Sequence, residues 1–168
     1  DFQFDFTIKE TENIAEFFHL PVSVIYPVSI RGGMSQADGD LDLDIAAPFL
    51  RQGGKLVENT ALMAFVSGKK GDGRLQFHTT SPTKGGPMTL NLDMDARTDT
   101  VDTKVKWKID RDRDYSGDIR LNTGFSRDAD GLLASLRLLP SRASFNDSTW
   151  TIAPATVNIR GKQVDVND

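Results

Sequence analysis

Cysteine is absent from this chain, and long apolar runs are absent as well. Without cysteine there is no disulfide, no thiolate nucleophile and no cysteine-ligated zinc. A membrane-spanning helix needs about 18 or more consecutive apolar residues, whereas the longest candidate run, residues 61–66, is far shorter. The chain therefore has to be interpreted from its hydrophobic pattern and not from a covalent framework or a membrane span.

Excess positive charge is also missing. The formal net charge is −4 at pH 7 with 26% charged residues, so there is no overall basic field to attract nucleic acid. A length of 168 residues with 38% hydrophobic residues is sufficient for one domain with a core. We predict one domain over residues 1–168 and no nucleic-acid partner.

Residues suited to catalysis or metal binding are scarce. The two histidines, His19 and His78, have no carboxylate or serine at a telling spacing, and no serine lies in a nucleophile-elbow motif. The acidic series that begins at Asp40 resembles the start of a calcium loop, but Ile45 and Arg51 occupy the positions that require Gly and Glu. We predict no enzymatic activity, no catalytic residues, no cofactor and no metal.

The dominant positive signal is alternation of apolar and polar residues, clearest over residues 88–95. Successive side chains of a strand point to opposite faces, so the apolar side chains of this stretch share one face and the polar side chains share the other. Turn residues recur about every 10 to 14 positions, which leaves no room for helical crossovers. The pattern predicts a mostly β, antiparallel meander.

Three stretches depart from simple alternation. Residues 11–21 place Ile14, Phe17 and Phe18 at helical spacing and predict one short helix, which either covers part of the apolar face or caps an end. Residues 56–66 are apolar on both sides, so their inward face is not assigned. Residues 81–87 are predicted to be a loop that follows a short strand around Leu75 and Phe77.

The apolar face of the meander is predicted from the segments in which no charge interrupts the alternation. Its cover is either a second layer of the same protein, as in a β-sandwich, or hydrocarbon that is not protein. A carbohydrate-binding module is a weaker alternative, because both tryptophans alternate in phase with apolar neighbours. The residues of this face are Phe2, Phe4, Phe6, Leu41, Leu43, Ile45, Leu75, Phe77, Met88, Leu90, Leu92, Met94, Val105, Trp107, Ile109, Ile119 and Leu121.

Two regions resemble a known family. Residues 146–155, which read NDSTWTIAPA, and the following residues 157–166, which read VNIRGKQVDV, resemble a repeating segment of TamB-type translocation and assembly proteins, especially those of Bacteroidetes-like bacteria. Residues 13–33, which include Phe17-Phe18 and Tyr26-Pro27-Val28, are similar to an upstream part of the same proteins. The resemblance covers about a third of the chain.

The resemblance to TamB-type and AsmA-like proteins implies a location and a shape. Such proteins are anchored in the inner membrane and cross the periplasm as a long curled β-sheet, an open half-pipe with a hydrophobic interior. Because alternation is already under way at residue 1 and continues through Val164 and Val166, we expect the chain to be a segment excised from a longer, repetitive periplasmic protein.

The resemblance also implies a role in outer-membrane biogenesis. The expected partners are phospholipid acyl chains, which the apolar-face residues would bind, or unfolded outer-membrane protein strands. An outer-membrane partner barrel would be contacted through regions outside this segment. On this interpretation the hydrophobic groove conducts phospholipid between membranes, assists the insertion of β-barrel proteins, or does both.

Overall fold

The computed structural model describes residues 1–11, 16–17, 22–128, 131–161 and 163–167. The helix predicted over residues 11–21 falls mostly outside these ranges, as does His19, so the helix stays a prediction. Of its interior only Glu16 and Phe17 are described, and both side chains are exposed. Within the described ranges no helix has the length and apolarity that a membrane crossing requires.

Fourteen strands account for most of the described residues, and most of them follow an alternating stretch of the sequence. In chain order they are β1 Phe2–Ile8, β2 Val22–Val24, β3 Val28–Ser35, β4 Asp40–Gln52, β5 Lys55–Ser67, β6 Asp72–Thr83, β7 Gly86–Arg97, β8 Thr100–Ile109, β9 Tyr115–Asp128, β10 Gly131–Leu138, β11 Ser141–Phe145, β12 Ser148–Ile152, β13 Ala155–Arg160 and β14 Gln163–Asn167.

The strands form one antiparallel sheet in which neighbours mostly follow one another in the chain. The hydrogen-bonded order is β1-β3-β4-β5-β6-β7-β8-β9-β10-β13-β14, and the sheet does not close on itself. With ten spacings of about 4.8 Å, this order extends about 48 Å across the strands. The predicted all-β antiparallel meander is confirmed.

Some positions of the sheet are filled by a strand in two pieces, and proline lies at each break. β2 and β3 both pair with β4, and Pro27 lies between them. β10 and β11 both pair with β9 on either side of Pro140, while β12 and β13 are separated by Pro154. Proline has no N–H to donate to a strand ladder, so the pairing stops and restarts at these positions.

The loop predicted for residues 81–87 is wrong, because β6 and β7 continue into a tight hairpin. Pro82 and Pro87 are directly paired, and the turn contains only residues 84 and 85. Thr83 closes it: its Oγ1 donates to the carbonyl oxygen of Gly86 at 2.7 Å and accepts from the amide of Gly85 at 3.2 Å. Gly85-Gly86 had indicated a loop, yet the two glycines belong to a tight hairpin end, where paired prolines are tolerated because ladder donors are not needed.

The described strands form one layer with little buried apolar surface. All fourteen belong to a single hydrogen-bonded sheet that does not close on itself. The buried apolar residues are few: Val28, Ala47, Val57 and Ala143. The two-layer core considered from the sequence is not formed by the described strands.

Candidate functional site

The strand register places every predicted apolar-face residue on the same side of the sheet. Leu92 of β7, for example, is paired with Phe77 of β6 and with Val105 of β8. Directly paired residues project from one face, and the same chain of pairs continues to β1 in one direction and to β9 in the other. We call this side the apolar face and the opposite side the polar face.

One line of directly paired side chains on this face is apolar without interruption across eight consecutive strands of the sheet. Crossing seven inter-strand spacings of about 4.8 Å, it extends about 34 Å perpendicular to the strands. We call it the apolar row, and it consists of Phe6, Ile30, Ile45, Leu62, Phe77, Leu92, Val105 and Ile119.

Ile30 and Leu62 belong to the apolar row although the sequence prediction did not include them. Leu62 was missed because β5 is apolar on both sides, and only its pairing with Ile45 and Phe77 assigns its direction. On the same strand Met63 and Phe65 project from the polar face and are exposed. Alternation within β5 alone contains no signal that distinguishes these two sets.

The apolar face also extends beyond β9. Leu136 of β10, Val157 of β13 and Val166 of β14 are paired in sequence and continue the same face toward the last strand. The exposed fraction of Val166 is 65%. The C-terminal strands therefore lengthen the apolar face and do not cover it.

Short side chains lie in the row next to the apolar row. Thr60 and Thr79 are hydrogen bonded to each other at 2.8 Å, and Ala47 is directly paired with Thr60. Ala47, Thr79 and Ala143 are all buried. On β7 and β8 the same line continues with the larger Leu90 and Trp107, so it is short-chained only in part.

Aromatic rings cover glycines at two cross-strand pairs of the apolar face. Phe4 is paired with Gly32, and a Cβ on Gly32 would lie 2.6 Å from the Phe4 ring. Trp107 is paired with Gly117, and a Cβ there would lie 2.0 Å from the indole. The strand β3 therefore continues through Gly32, beneath the Phe4 ring.

Exposure of the apolar face is the unusual property of this molecule. Its accessible surface is 11607 Å², whereas a compact monomer of 18.5 kDa exposes about 8,200 Å². Apolar side chains contribute to the excess: Phe2 is 59% exposed and Phe6 57%. A surface about 1.4 times the expected value is characteristic of a single layer, which is how the described strands are arranged. At the centre of the apolar row, residues such as Leu92 and Val105 are half-buried.

The polar face is joined by hydrogen bonds between neighbouring strands. His78 Nδ1 and the side-chain oxygen of Asn91 are 2.7 Å apart, and Gln76 donates to Asp93 at 3.0 Å. Exposed ion pairs join Arg31 to Asp5 at 3.1 Å and Arg74 to Asp95 at 2.7 Å. Exposed pairs of this kind contribute only about 0–1 kcal/mol each, so the polar face holds the register more than it stabilises the fold.

Electrostatic perturbation is concentrated on β8 and β9. Arg120 donates a hydrogen bond to the Asp118 carboxylate and lowers the pKa of that carboxyl, while Asp118 raises the pKa of Arg120. The pKa of Lys104 is lowered by Lys106, first because the neutral amine of Lys104 can accept a hydrogen bond from the Lys106 ammonium and next because the two positive charges repel each other. Cationic side chains are therefore crowded together on this part of the polar face.

The acidic residues of β4 are spread along the polar face. Asp42 and Asp44 are exposed at alternate positions, and Asp40 accepts a hydrogen bond from Ser67 Oγ at 2.8 Å. Across the described ranges, no three His, Cys, Asp or Glu side chains are grouped so that they could hold a metal ion. The arrangement on the apolar face offers non-covalent binding of hydrocarbon.

No family model matches the sequence, and no curated protein or solved structure is significantly similar to it.

Proposed function

We propose that the apolar face binds lipid acyl chains and that the protein conducts phospholipid along this face. The observation that supports the proposal is the uninterrupted apolar row on a sheet whose described strands leave that face uncovered. A large exposed apolar surface on a folded protein marks an interaction site. The length of the apolar row suits a long, thin ligand better than a compact one.

The energetics favour a mobile cargo. Burial of a methylene group contributes about 0.8 kcal/mol, so an acyl chain that contacts part of the row is held appreciably. Leu, Ile, Val and Phe offer similar contacts at each step along the row, and the chain therefore moves without crossing a large barrier. Headgroups remain in water, since burying a charge without a partner is costly.

The proposal includes a curved sheet, an open groove with the apolar face as its interior. Sheets have an inherent twist, and bulges bend strands and increase that twist. Between Glu58 and Ala61 the register of β5 against β6 shifts, and Asn59 has a φ of 51°. Proline breaks at Pro140 and Pro154 provide further positions at which the strands change direction.

The proposed biological setting comes from the resemblance to TamB-type and AsmA-like proteins. In that setting the segment lies in the periplasm, within a longer protein anchored in the inner membrane, and it contributes to outer-membrane biogenesis. An outer-membrane partner barrel would be reached through other regions of that protein. Transport requires only continuity of the apolar face with the neighbouring segments.

A second candidate function is the capture of unfolded outer-membrane protein strands. Among the described strands, β1 pairs only with β3 and β14 pairs only with β13, so each leaves one backbone edge available. An extended peptide can add to such an edge through main-chain hydrogen bonds. Strand capture needs a free edge, whereas lipid conduction needs the apolar face.

Site-specific photo-crosslinking in cells tests the proposal. A photoreactive residue replaces Leu92 in the apolar row or, as the matched control, its neighbour Asn91 on the polar face. A third probe replaces Gln163 on the β14 edge. We expect phospholipid adducts at Leu92 and none at Asn91, detected by mass spectrometry of the purified protein.

The alternatives predict other patterns. Polypeptide adducts at Gln163 without lipid at Leu92 would support strand capture. Crosslinks from Leu92 to a distant part of the same chain, with no adduct, would show that the apolar face is covered by the protein itself. Lipid adducts of equal yield at Leu92 and Asn91 would contradict face-specific binding.

A further inference from the structure

A shallow depression lies on the polar face where β8, β9 and β11 are adjacent. Its volume is about 560 Å³. Ser144 on its floor is only 7% exposed, and its Oγ lies 3.1 Å from Thr149 Oγ1. The side chains that line it on this face are Thr89, Asn91, Lys106, Lys108, Asp114, Ser116, Asp118, Arg142, Ser144 and Thr149.

Positive charge exceeds negative charge around this depression although the whole chain is acidic. Lys106, Lys108 and Arg142 line it, and Lys104 and Arg120 are directly paired one row away. The two carboxylates in the lining are those of Asp114 and Asp118. Asp118 is already engaged by Arg120 at 3.1 Å and by Lys106 at 3.8 Å.

Part of the positive charge forms no direct ion pair in the described ranges, although Asp118 interacts electrostatically with Lys104 and is directly paired with Arg142. In the described ranges, no carboxylate forms an ion pair with Lys104, Lys108 or Arg142. Asp93 is directly paired with Lys104 and accepts a hydrogen bond from Gln76, so Lys108 and Arg142 carry the positive charge that is least compensated. Guanidinium and ammonium groups beside hydroxyl donors are a typical binding environment for an oxyanion.

The direct pairing of Lys104 with Arg120 also supports an oxyanion site in this part of the polar face. Like charges directly opposite each other on neighbouring strands destabilise a sheet. The lowered pKa of Lys104, caused by its contact with Lys106, shows a further cost of holding these cations together. A bound anion would offset both, and departures from local stability rules commonly occur at functional sites.

We infer that the depression formed by Lys106, Lys108, Arg142, Ser116, Ser144 and Thr149 binds a phosphate group. The group is either free phosphate or the phosphate of a lipid headgroup at a membrane surface. The depression lies on the face opposite the apolar row. An acyl chain on the apolar face therefore cannot place its own headgroup here, and this site is separate from the proposed lipid path.

Titration with inorganic phosphate, compared with chloride at equal ionic strength, tests the inference by NMR. The test variant combines Lys108→Gln with Arg142→Gln. The control combines Lys55→Gln with Lys70→Gln, which remove the same charge from exposed positions at the start of β5 and in the β5–β6 turn, neither of which lines the depression. We expect saturable shifts in β8, β9 and β11, at least about tenfold weaker binding in the test variant, and no change in the control.

Co-flotation with vesicles distinguishes the two sources of phosphate. Vesicles that contain phosphatidylglycerol are compared with pure phosphatidylcholine vesicles for the same three proteins. If the wild type and the control float with the anionic vesicles and the test variant does not, the phosphate group is that of a lipid headgroup. If inorganic phosphate binds saturably but the protein does not float with the vesicles, the ligand is free phosphate. The inference would be overturned if the test variant and the control bound phosphate equally well. It would also be overturned if phosphate and chloride gave the same NMR shifts and the protein did not float with the anionic vesicles.

Discussion

Trp107 and Gly117 show how single residues shape the apolar face. The indole lies where a side chain on Gly117 would project, so the largest and the smallest side chains share one cross-strand pair. Phe4 and Gly32 repeat the arrangement at the other end of the sheet. In both pairs the ring fills the space above a bare backbone, which keeps the apolar surface continuous where a side chain is missing.

Gly117→Ala is expected to destabilise the protein, because its Cβ would lie 2.0 Å from the Trp107 ring and would force the indole out of position. Overpacking of this kind costs about 1–3 kcal/mol. Urea unfolding followed by tryptophan fluorescence measures the effect. The emission maximum should also shift, since the environment of Trp107 changes.

Gly124→Ala on the same strand is the matched control. No atom lies within 4 Å of a Cβ built at Gly124, and alanine lowers the conformational entropy of the unfolded chain relative to glycine. The control is expected to be neutral or stabilising by up to about 1 kcal/mol. Equal destabilisation by both substitutions would contradict the role assigned to the Trp107–Gly117 pair.

The strand β5 is the element whose side-chain directions depend most on its pairing with the neighbouring strands. Its residues near the turn with β4 and those near the turn with β6 are separated by an irregularity at residues 59 and 60, where the pairing with β6 shifts. Asn59 has a left-handed backbone conformation, which asparagine tolerates better than most residues. Across this bulge the register with β6 shifts while the register with β4 is the same on both sides, and Thr60 is hydrogen bonded to Thr79.

Asn59→Val is expected to destabilise the protein by about 1–3 kcal/mol, because a β-branched residue is strained at a φ of 51°. Asn59→Gly should be nearly neutral, since glycine adopts this conformation readily. Thermal unfolding of both variants against the wild type measures the difference. If the valine variant unfolds at the wild-type temperature, the bulge is not a required feature of β5.

At the level of the whole molecule, the decisive feature is that one layer carries both a continuous apolar face and a continuous polar face. The sheet order leaves β1 and β14 at its edges, and the described strands form one layer. Stability therefore comes from cross-strand pairs and from contacts along each face. A lipid on the apolar face would add burial that the protein alone does not provide.

The protein is expected to enhance the fluorescence of a hydrophobic dye such as ANS while its far-UV circular dichroism remains that of a β-protein. Added lipid with an acyl chain should displace the dye and raise the unfolding temperature by mass action. Size-exclusion chromatography of the same sample establishes that the dye binds non-aggregated protein and not aggregates. Absence of enhancement by folded, dispersed protein would show that the apolar face is covered.

The sequence by itself determined the strands and the face to which most of their residues belong. Alternation is a local property, and the segments around Leu90 and Trp107 predicted their face correctly because polar residues separate the apolar ones. Turn residues were less informative: the stretch with Gly85-Gly86 indicated a loop over residues 81–87, where the hairpin in fact continues. Local patterns specify the direction of a side chain only relative to its own strand.

The tertiary structure alone decided which residues line up across strands and whether a second layer exists. Leu62 joined the apolar row only through its pairs with Ile45 and Phe77, and Lys104 faced Arg120 only through the register of β8 with β9. Sequence periodicity is the same for a strand in a two-layer sandwich and for a strand in a single sheet. The physical reason is that register and layering depend on contacts between residues distant in the chain, which alternation within one strand does not record.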